Sequence, residues 1–287
     1  MTDPADPPPD QARPDRAGGR GGDGTPLVAL TIAGSDSCGG AGVQADLRTF
    51  AAHGLHGASV ITAVTAQNTV GVRLVRAMTA DVVTAQLDAV LADLPVAVVK
   101  IGMLASGEIG RVLAHRAAAG VLPPFVLDPV LVSSSGARLG SAESVTRLLP
   151  YARVLTPNRA EAGALLGRPV RTSAEASAAA RELAALGPAA VVVTGGDAVG
   201  APVDNLWTTG VGGRAFAGQR VATRNTHGTG CTFASALAAR LALGDDIPTA
   251  VGAARLFVAR ALAGACGWQL GAGHGPLDQL GWGSGEG

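Results

Sequence analysis

Short apolar runs alternate with segments of helical period from Pro26 to Gly196, and that alternation restricts the chain to a parallel α/β sheet covered on both faces. "PLVALTIAG" (26–34), "ASVITAVTAQN" (58–68), "VAVVKIGM" (96–103), "PFVLDPV" (124–130), "RVLTP" (153–157) and "AAVVVTGG" (189–196) read as buried strands. "GVQADLRTFAAHG" (42–54), "TADVVTAQLDAVLADL" (79–94) and "GEIGRVLAHRAAAG" (107–120) read as helices between them. "NLWTTGVGGRAFAGQRV" (205–221) breaks the pattern and predicts a hairpin around Gly212-Gly213, and two long Ala-rich helices follow. Ligands of such sheets sit beyond the carboxyl ends of the strands, so chemistry is sought at that edge.

Hydrophobic residues make up 47% of the 287-residue chain, enough for one large core. The expected division is a Pro/Asp/Arg/Gly-rich disordered tail at 1–25, a single domain at 26–280 and a flexible end at 281–287. Lys+Arg 22 balance Asp+Glu 22, and no basic stripe offers a footprint for nucleic acid. No uninterrupted apolar run suggests a membrane span, and no apolar leader opens the chain, so a cytoplasmic protein is expected. Cys38, Cys231 and Cys266 are odd in number and form no CxxC pair, which argues against a disulfide framework or a zinc site. Cys266, in the final Ala-rich segment, reads as a small hydrophobe.

Four segments carry unusual chemistry. "AGSDSCGGAGVQAD" (33–46) places four glycines before a helix, where backbone amides can approach a ligand, although a tight turn would look the same. Asp128 follows the strand in "LDPV" and suits either a magnesium contact or a turn. Asn158 and Glu161 in "TPNRAEA" have the spacing of an ordinary capping box. In "NTHGTGCTFASALAARLALG" (225–244), Gly228-Thr229-Gly230-Cys231 opens a helix whose free amides form an anion site. A thiol there is expected to titrate below about 8.5, since a helix N-terminus favours thiolate.

"LTIAGSDSCGGAGVQADLRTF", "GASVITAVTAQNTVGV", "KIGML", "LDPV", "TPNRAEA", "NTHGTGCTFASALAA" and the late "GHGPLD" share order and spacing with one family. From about Leu27 onward the chain resembles the hydroxymethylpyrimidine/phosphomethylpyrimidine kinases of thiamine biosynthesis, in the ribokinase-like superfamily. The resemblance implies a three-layer α/β/α sandwich with a central, mainly parallel sheet, a homodimer, and ATP with magnesium as cofactors. It implies phosphorylation of a hydroxymethylpyrimidine and then of its monophosphate. Gln67 would read the aminopyrimidine edge, with Gly34, Met103 and Val130 as further pocket walls. Asp128 and Glu161 match the magnesium-side carboxylates. Asn158, Thr194, Thr229 and Arg255 lie on the nucleotide side, Gly228, Thr229 and Gly230 match the anion hole, and Cys231 matches the proposed base.

Ser37-Cys38 replaces the family's usual Pro-Ser, Thr194 stands where a lysine commonly faces the phosphates, and Arg255 stands where another lysine is often found. Two alternatives accompany the reading: a pyridoxal or pyridoxine kinase of the same superfamily, and a pyrimidine-binding regulator without transfer activity.

Overall fold

The computed structural model describes residues 24–131, 140, 142–196 and 200–284. Of the expected tail at 1–25 only 24 and 25 are described, and of the expected end at 281–287 the described part is 281–284. Strands and helices follow in the order β1 (Val28–Asp36), α1 (Gly42–Ala52), β2 (His56–Gln67), β3 (Val72–Ala77), α2 (Ala80–Asp93), β4 (Val96–Ile101), α3 (Gly107–Ala118) and β5 (Phe125–Leu127). The second half continues with α4 (Ala142–Thr146), β6 (Val154–Leu155), α5 (Arg159–Leu166), α6 (Ser173–Ala184), β7 (Ala190–Val193), β8 (Val203–Thr208), β9 (Gly212–Ala217), α7 (Thr229–Ala242) and α8 (Ile247–Gly264).

The strands form one sheet ordered β3-β2-β1-β4-β5-β6-β7-β8-β9. From β2 to β7 every pairing is parallel, while β3 and the β8–β9 pair run antiparallel at the two ends. Each central strand sends alternate side chains to opposite faces, as the two-residue period requires. Leu30, Ile32, Val99, Ile101, Phe125, Leu127, Leu155, Val191 and Val193 pack with α2 through α6. Ala29, Val98, Val126, Val154, Ala190 and Val192 pack with Phe50 of α1 and with α7 and α8. The result is the expected three-layer sandwich, and burial on both faces explains why these strands read as continuous apolar runs.

Some local expectations change. β3 (VRLVRA) gives no strand signal in the sequence because it is a largely exposed edge with two arginines and no apolar run. The hairpin turn lies at Thr209–Val211, just before Gly212-Gly213, with Gly210 in the left-handed region at φ 77°. α8 ends at Gly264, so Cys266 lies beyond the helix and is exposed rather than packed as a small hydrophobe. α8 is itself 18 residues long with mean hydropathy 1.2, enough by length and composition to cross a membrane. Here Ala250, Val251, Ala254, Val258 and Ala261 bury one of its faces in the core.

Candidate active site

The carboxyl edge of the sheet gathers Asp36, Met103, Asp128, Asn158 and Thr194, each at or just after a strand end. Two glycine-rich loops meet above it. Gly228 caps α7 in the left-handed region at φ 89°, and a Cβ there would stand 2.0 Å from the Gly40 carbonyl oxygen. A Cβ on Gly40 would in turn stand 2.4 Å from the His227 ring. Glycine at these positions lets the 37–41 loop and the start of α7 touch backbone to backbone.

Asp36 ties the two loops together. Its Oδ1 accepts from the Cys38 amide at 2.9 Å, and its Oδ2 accepts from the Gly40 and Ala41 amides at 3.0 and 2.8 Å. Oδ2 also lies 2.8 Å from Nε2 of His227, the residue preceding Gly228. Burial would raise the Asp36 carboxyl, but the His227 contact and the Ala41 and Cys38 amides outweigh it and hold the group below its ordinary 3.8. Beside this loop, the Cys38 thiol is raised by burial and by the Asp36 charge.

Beneath the start of α7 lies a buried charge cluster. Lys100, from β4, is wholly buried, with Nζ 3.1 Å from Asp46 Oδ1 and 3.3 Å from Asp128 Oδ2. Thr31 Oγ1 and Ser235 Oγ each donate to Asp46 at 2.7 Å, which completes the shell of that carboxylate. Asp128 is less well served: its Oδ2 is buried and faces Lys100 but, among the described residues, has no hydrogen-bond partner. Burial pushes the Asp128 carboxyl up and the Asp46 charge adds to this, with Lys100 opposing. Burial likewise opposes the Lys100 charge, but Asp46, Cys231 and Asp128 overcome it and keep the ammonium above its usual range.

Cys231 occupies the first turn of α7, as expected, and the residue is half-buried, with its thiol directed into this cluster. The expected depression of the thiol is reversed. Burial, aided by the charges of Asp128 and Asp46, pushes it up to about 12 against the pull of Lys100 and the Gly42 amide. A helix N-terminus adds only a partial charge, which cannot offset desolvation beside two carboxylates.

The other candidates divide into groups. Gly34 and Met103 pack together, the sulfur lying 3.0 Å from where a Gly34 Cβ would be, and Thr62 Oγ1 donates to the Met103 carbonyl at 2.5 Å. Gln67 sits at the end of β2 with its side-chain amide 3.0 Å from His227 Nε2. Val130 follows Asp128 and donates its amide to the Asp128 carbonyl at 2.9 Å. Asn158 and Glu161 form a complete capping box on α5, so one Glu161 oxygen is bonded to the Asn158 amide at 2.9 Å. Thr194 bridges to Asn158, its amide donating to the Pro157 carbonyl at 2.9 Å. Arg255 is committed elsewhere: Nε lies 2.6 Å from Asp204 Oδ2, while Asp204 Oδ1 accepts from the Gly195 amide at 2.7 Å. Arg255 thus braces the turn after Thr194 from behind.

Asp36, Asp46, Lys100 and His227 were not among the candidates. Lys100 carried a visible signal, as the chain's sole lysine set inside an apolar strand. His227 and Asp36 lie 191 residues apart and carried none.

The profile of the phosphomethylpyrimidine kinase family matches residues 36–278. A hydroxymethylpyrimidine/phosphomethylpyrimidine kinase of Synechococcus elongatus is 49% identical over 256 residues, covering 87% of this chain and 96% of that protein. Among solved structures, a phosphomethylpyrimidine kinase of Clostridium difficile superposes with TM-score 0.71 at 37% identity, covering 82% of this chain and 99% of the other. A Staphylococcus aureus pyridoxal kinase in complex with AMP-PCP and pyridoxal gives TM-score 0.79 at 32% identity, covering 88% and 93%. With the family profile spanning both glycine-rich loops and the charge cluster between them, the chain belongs to the phosphomethylpyrimidine kinase family.

Proposed function

We propose that the protein is an ATP-dependent kinase that phosphorylates 4-amino-5-hydroxymethyl-2-methylpyrimidine and then its monophosphate, giving the pyrophosphate used in thiamine biosynthesis. The observation that carries the reading is the start of α7. Its glycine-rich turn lies beside Lys100, Asp128 and Cys231, and Gln67 stands beside the adjoining His227. Substrate oxygen and transferring phosphoryl group meet at that point. The amides of Gly228 and Gly230 face the charge that develops on the phosphoryl oxygens, an arrangement of fixed dipoles that needs no reorganisation, whereas the Thr229 amide is committed to the Thr226 carbonyl at 3.3 Å.

Asp128 and Glu161 would hold magnesium. The cluster of Asp46, Lys100 and Asp128 carries one net negative charge when all three are ionised, and Asp128 Oδ2, ion-paired with Lys100 but without a hydrogen bond among the described residues, suits a hard cation with its waters. The ion supplies neutralisation of the phosphates. Asn158 and Thr194, held together at the next strand ends, face the nucleotide side. Arg255 contributes by bracing that turn through Asp204. Met103 and Gly34 wall the ring pocket, with Val130 at its margin.

Cys231, raised to about 12 and so carrying its own proton at neutral pH, would take the proton of the substrate hydroxyl as it passes its own to the adjoining Asp128 carboxylate. Phosphoryl transfer passes through a loose transition state, so that proton leaves late, once bond formation has acidified the hydroxyl. Positioning and charge stabilisation therefore dominate, and the thiol adds a smaller factor.

A second reading, a pyridoxal kinase, is favoured by the fold similarity to the Staphylococcus aureus enzyme. The higher identity to the Synechococcus elongatus relative favours the pyrimidine. ADP release measured with the aminopyrimidine and with pyridoxal in competition decides between them. Release with neither would leave only a binding role. On the same reading the protein is a cytoplasmic homodimer, which the three free thiols and the exposed Val64, Val70, Leu74 and Val75 around the β2–β3 hairpin support. Light scattering tests the dimer.

A further inference from the structure

The contacts of His227 constrain the direction in which the Gln67 amide can point. Asp36 is surrounded by donors, accepting from the amides of Cys38, Gly40 and Ala41, and its Oδ2 lies 2.8 Å from His227 Nε2. A carboxylate so placed is an acceptor, so Nε2 of His227 carries a hydrogen and donates it. The same Nε2 lies 3.0 Å from an atom of the Gln67 side-chain amide. A protonated ring nitrogen has no lone pair to offer an N–H, so an amide nitrogen at that position would set two donors face to face. The two ends of a carboxamide are isosteric and are assigned from their partners. The end facing His227 is therefore the carbonyl oxygen, which shares the Nε2–H with Asp36, and the NH₂ is the outward end. Among the described residues, the outward end has no protein partner.

We propose that His227, anchored by Asp36, is a specificity-determining positioning residue that locks the Gln67 amide with its NH₂ toward the ligand, selecting a ring that presents an acceptor nitrogen beside an amino group. This rests on the reading that Gln67 contacts the ring. The amide NH₂ donates to the ring nitrogen, and the second lone pair of the carbonyl oxygen accepts from the exocyclic amino group. A 4-oxopyrimidine presents the opposite edge, a ring N–H beside a carbonyl oxygen. Against a locked amide that edge sets donor to donor and acceptor to acceptor. A free amide would turn over and read either edge, so Gln67 alone cannot discriminate between them. His227 also precedes the Gly228 cap, so the residue that fixes ring choice joins directly to the anion hole.

The test is the ratio of kcat/KM for the 4-amino substrate to that for its 4-oxo analogue, measured on the full-length chain. His227→Phe keeps a ring but removes the donor, and should lower the amino/oxo ratio roughly tenfold to a hundredfold, the scale of one mispaired buried polar contact. His227→Gln restores an N–H toward Asp36 and should recover much of the ratio. An equal loss on both substrates, with the ratio unchanged, would mean that His227 only supports the loop, and would overturn the proposal. Gln67→Leu separates the two levels. If it leaves both substrates unaffected, the reading of Gln67 fails. If it abolishes discrimination while His227→Phe preserves it, only the role of His227 fails. A measurement on the wild-type chain remains decisive should His227→Phe not fold: long-range ¹⁵N–¹H correlation with ¹⁵N-labelled histidine. A protonated Nε2 on His227 is the expected result, and an unprotonated Nε2 would overturn the proposal.

Discussion

Lys100 Nζ stands 3.1 Å from Asp46 Oδ1 with both side chains wholly shut off from solvent, and the pair forms the floor of the site. It joins β4 to α1, and the Ser235 bond to Asp46 extends it to α7. The same ammonium faces Asp128, so its loss leaves two buried carboxylates without a counter-charge. Breaking such a pair from one side typically costs about 3–5 kcal/mol, whereas removing both members costs far less. Lys100→Met should therefore lower the unfolding free energy in urea by that amount. Lys100→Met combined with Asp46→Asn should recover part of it. A double variant no more stable than the single would show that the pair does not set the stability here.

Gly228→Ala tests the contact between the loops. The residue has φ 89°, and the added methyl would lie 2.0 Å from the Gly40 carbonyl oxygen. Left-handed strain costs of order 1–3 kcal/mol, and relief of the clash moves the anion-hole amides away from the 37–41 loop. Turnover should fall by more than the melting temperature suggests. The comparison is kcat at saturating substrates against thermal melts, and unchanged turnover would separate the glycine from the site.

Asp36 gives the fold an acid-sensitive joint. Its folded-state pKa lies below the ordinary 3.8, so its contribution is complete above the unfolded value and is lost as pH falls through the folded one. Stability should be steady above about pH 5 and decline below 3.8 as this carboxylate protonates and releases the 37–41 loop. In Asp36→Asn the difference in unfolding free energy between pH 6 and pH 3 should shrink. An identical pH dependence in both proteins would move the acid-sensitive group elsewhere.

Much of this architecture is legible in the chain because its central strands are buried on both faces. "PLVALTIAG" and "AAVVVTGG" leave no room for a solvent side; β7 lies within the second, and β1 begins in the first and runs two residues past it to Asp36. β3 escaped because an exposed edge strand carries charges and has no apolar run. Cys231 and Asp128 were visible because glycine-rich starts and strand-end carboxylates are local signals. Asp46 was not, since in α1 it is one acidic residue on a helix until Lys100, 54 residues later, is folded against it. The thiol was misjudged for a related reason. Its helix is local, but the burial that outweighs the helix, and the carboxylates that add to it, come from elements distant in sequence, α1 and the end of β5 among them.

Cys231 offers the sharpest test of how the site works. Only thiolate reacts with alkylating reagents, and with the group raised to about 12 the thiolate fraction in the free protein climbs through the alkaline range without a plateau. Carbamidomethylation of Cys231, followed by peptide mass spectrometry, should accelerate about tenfold per pH unit from 7 to 10. Exposed Cys266 serves as an internal reference on the same chain. ATP with the pyrimidine should protect Cys231 and leave Cys266 reactive. Cys231→Ser retains the backbone amides of the anion hole while removing a group that can ionise in this range. It should fold normally, bind ATP as before and lose turnover by about 10²–10⁴-fold, nearer the lower end because proton transfer is late. A reactivity plateau near neutral pH would show that the thiol is not raised. Wild-type turnover in Cys231→Ser across the pH profile would reduce Cys231 to a packing residue and leave catalysis to the amides and the charge cluster alone.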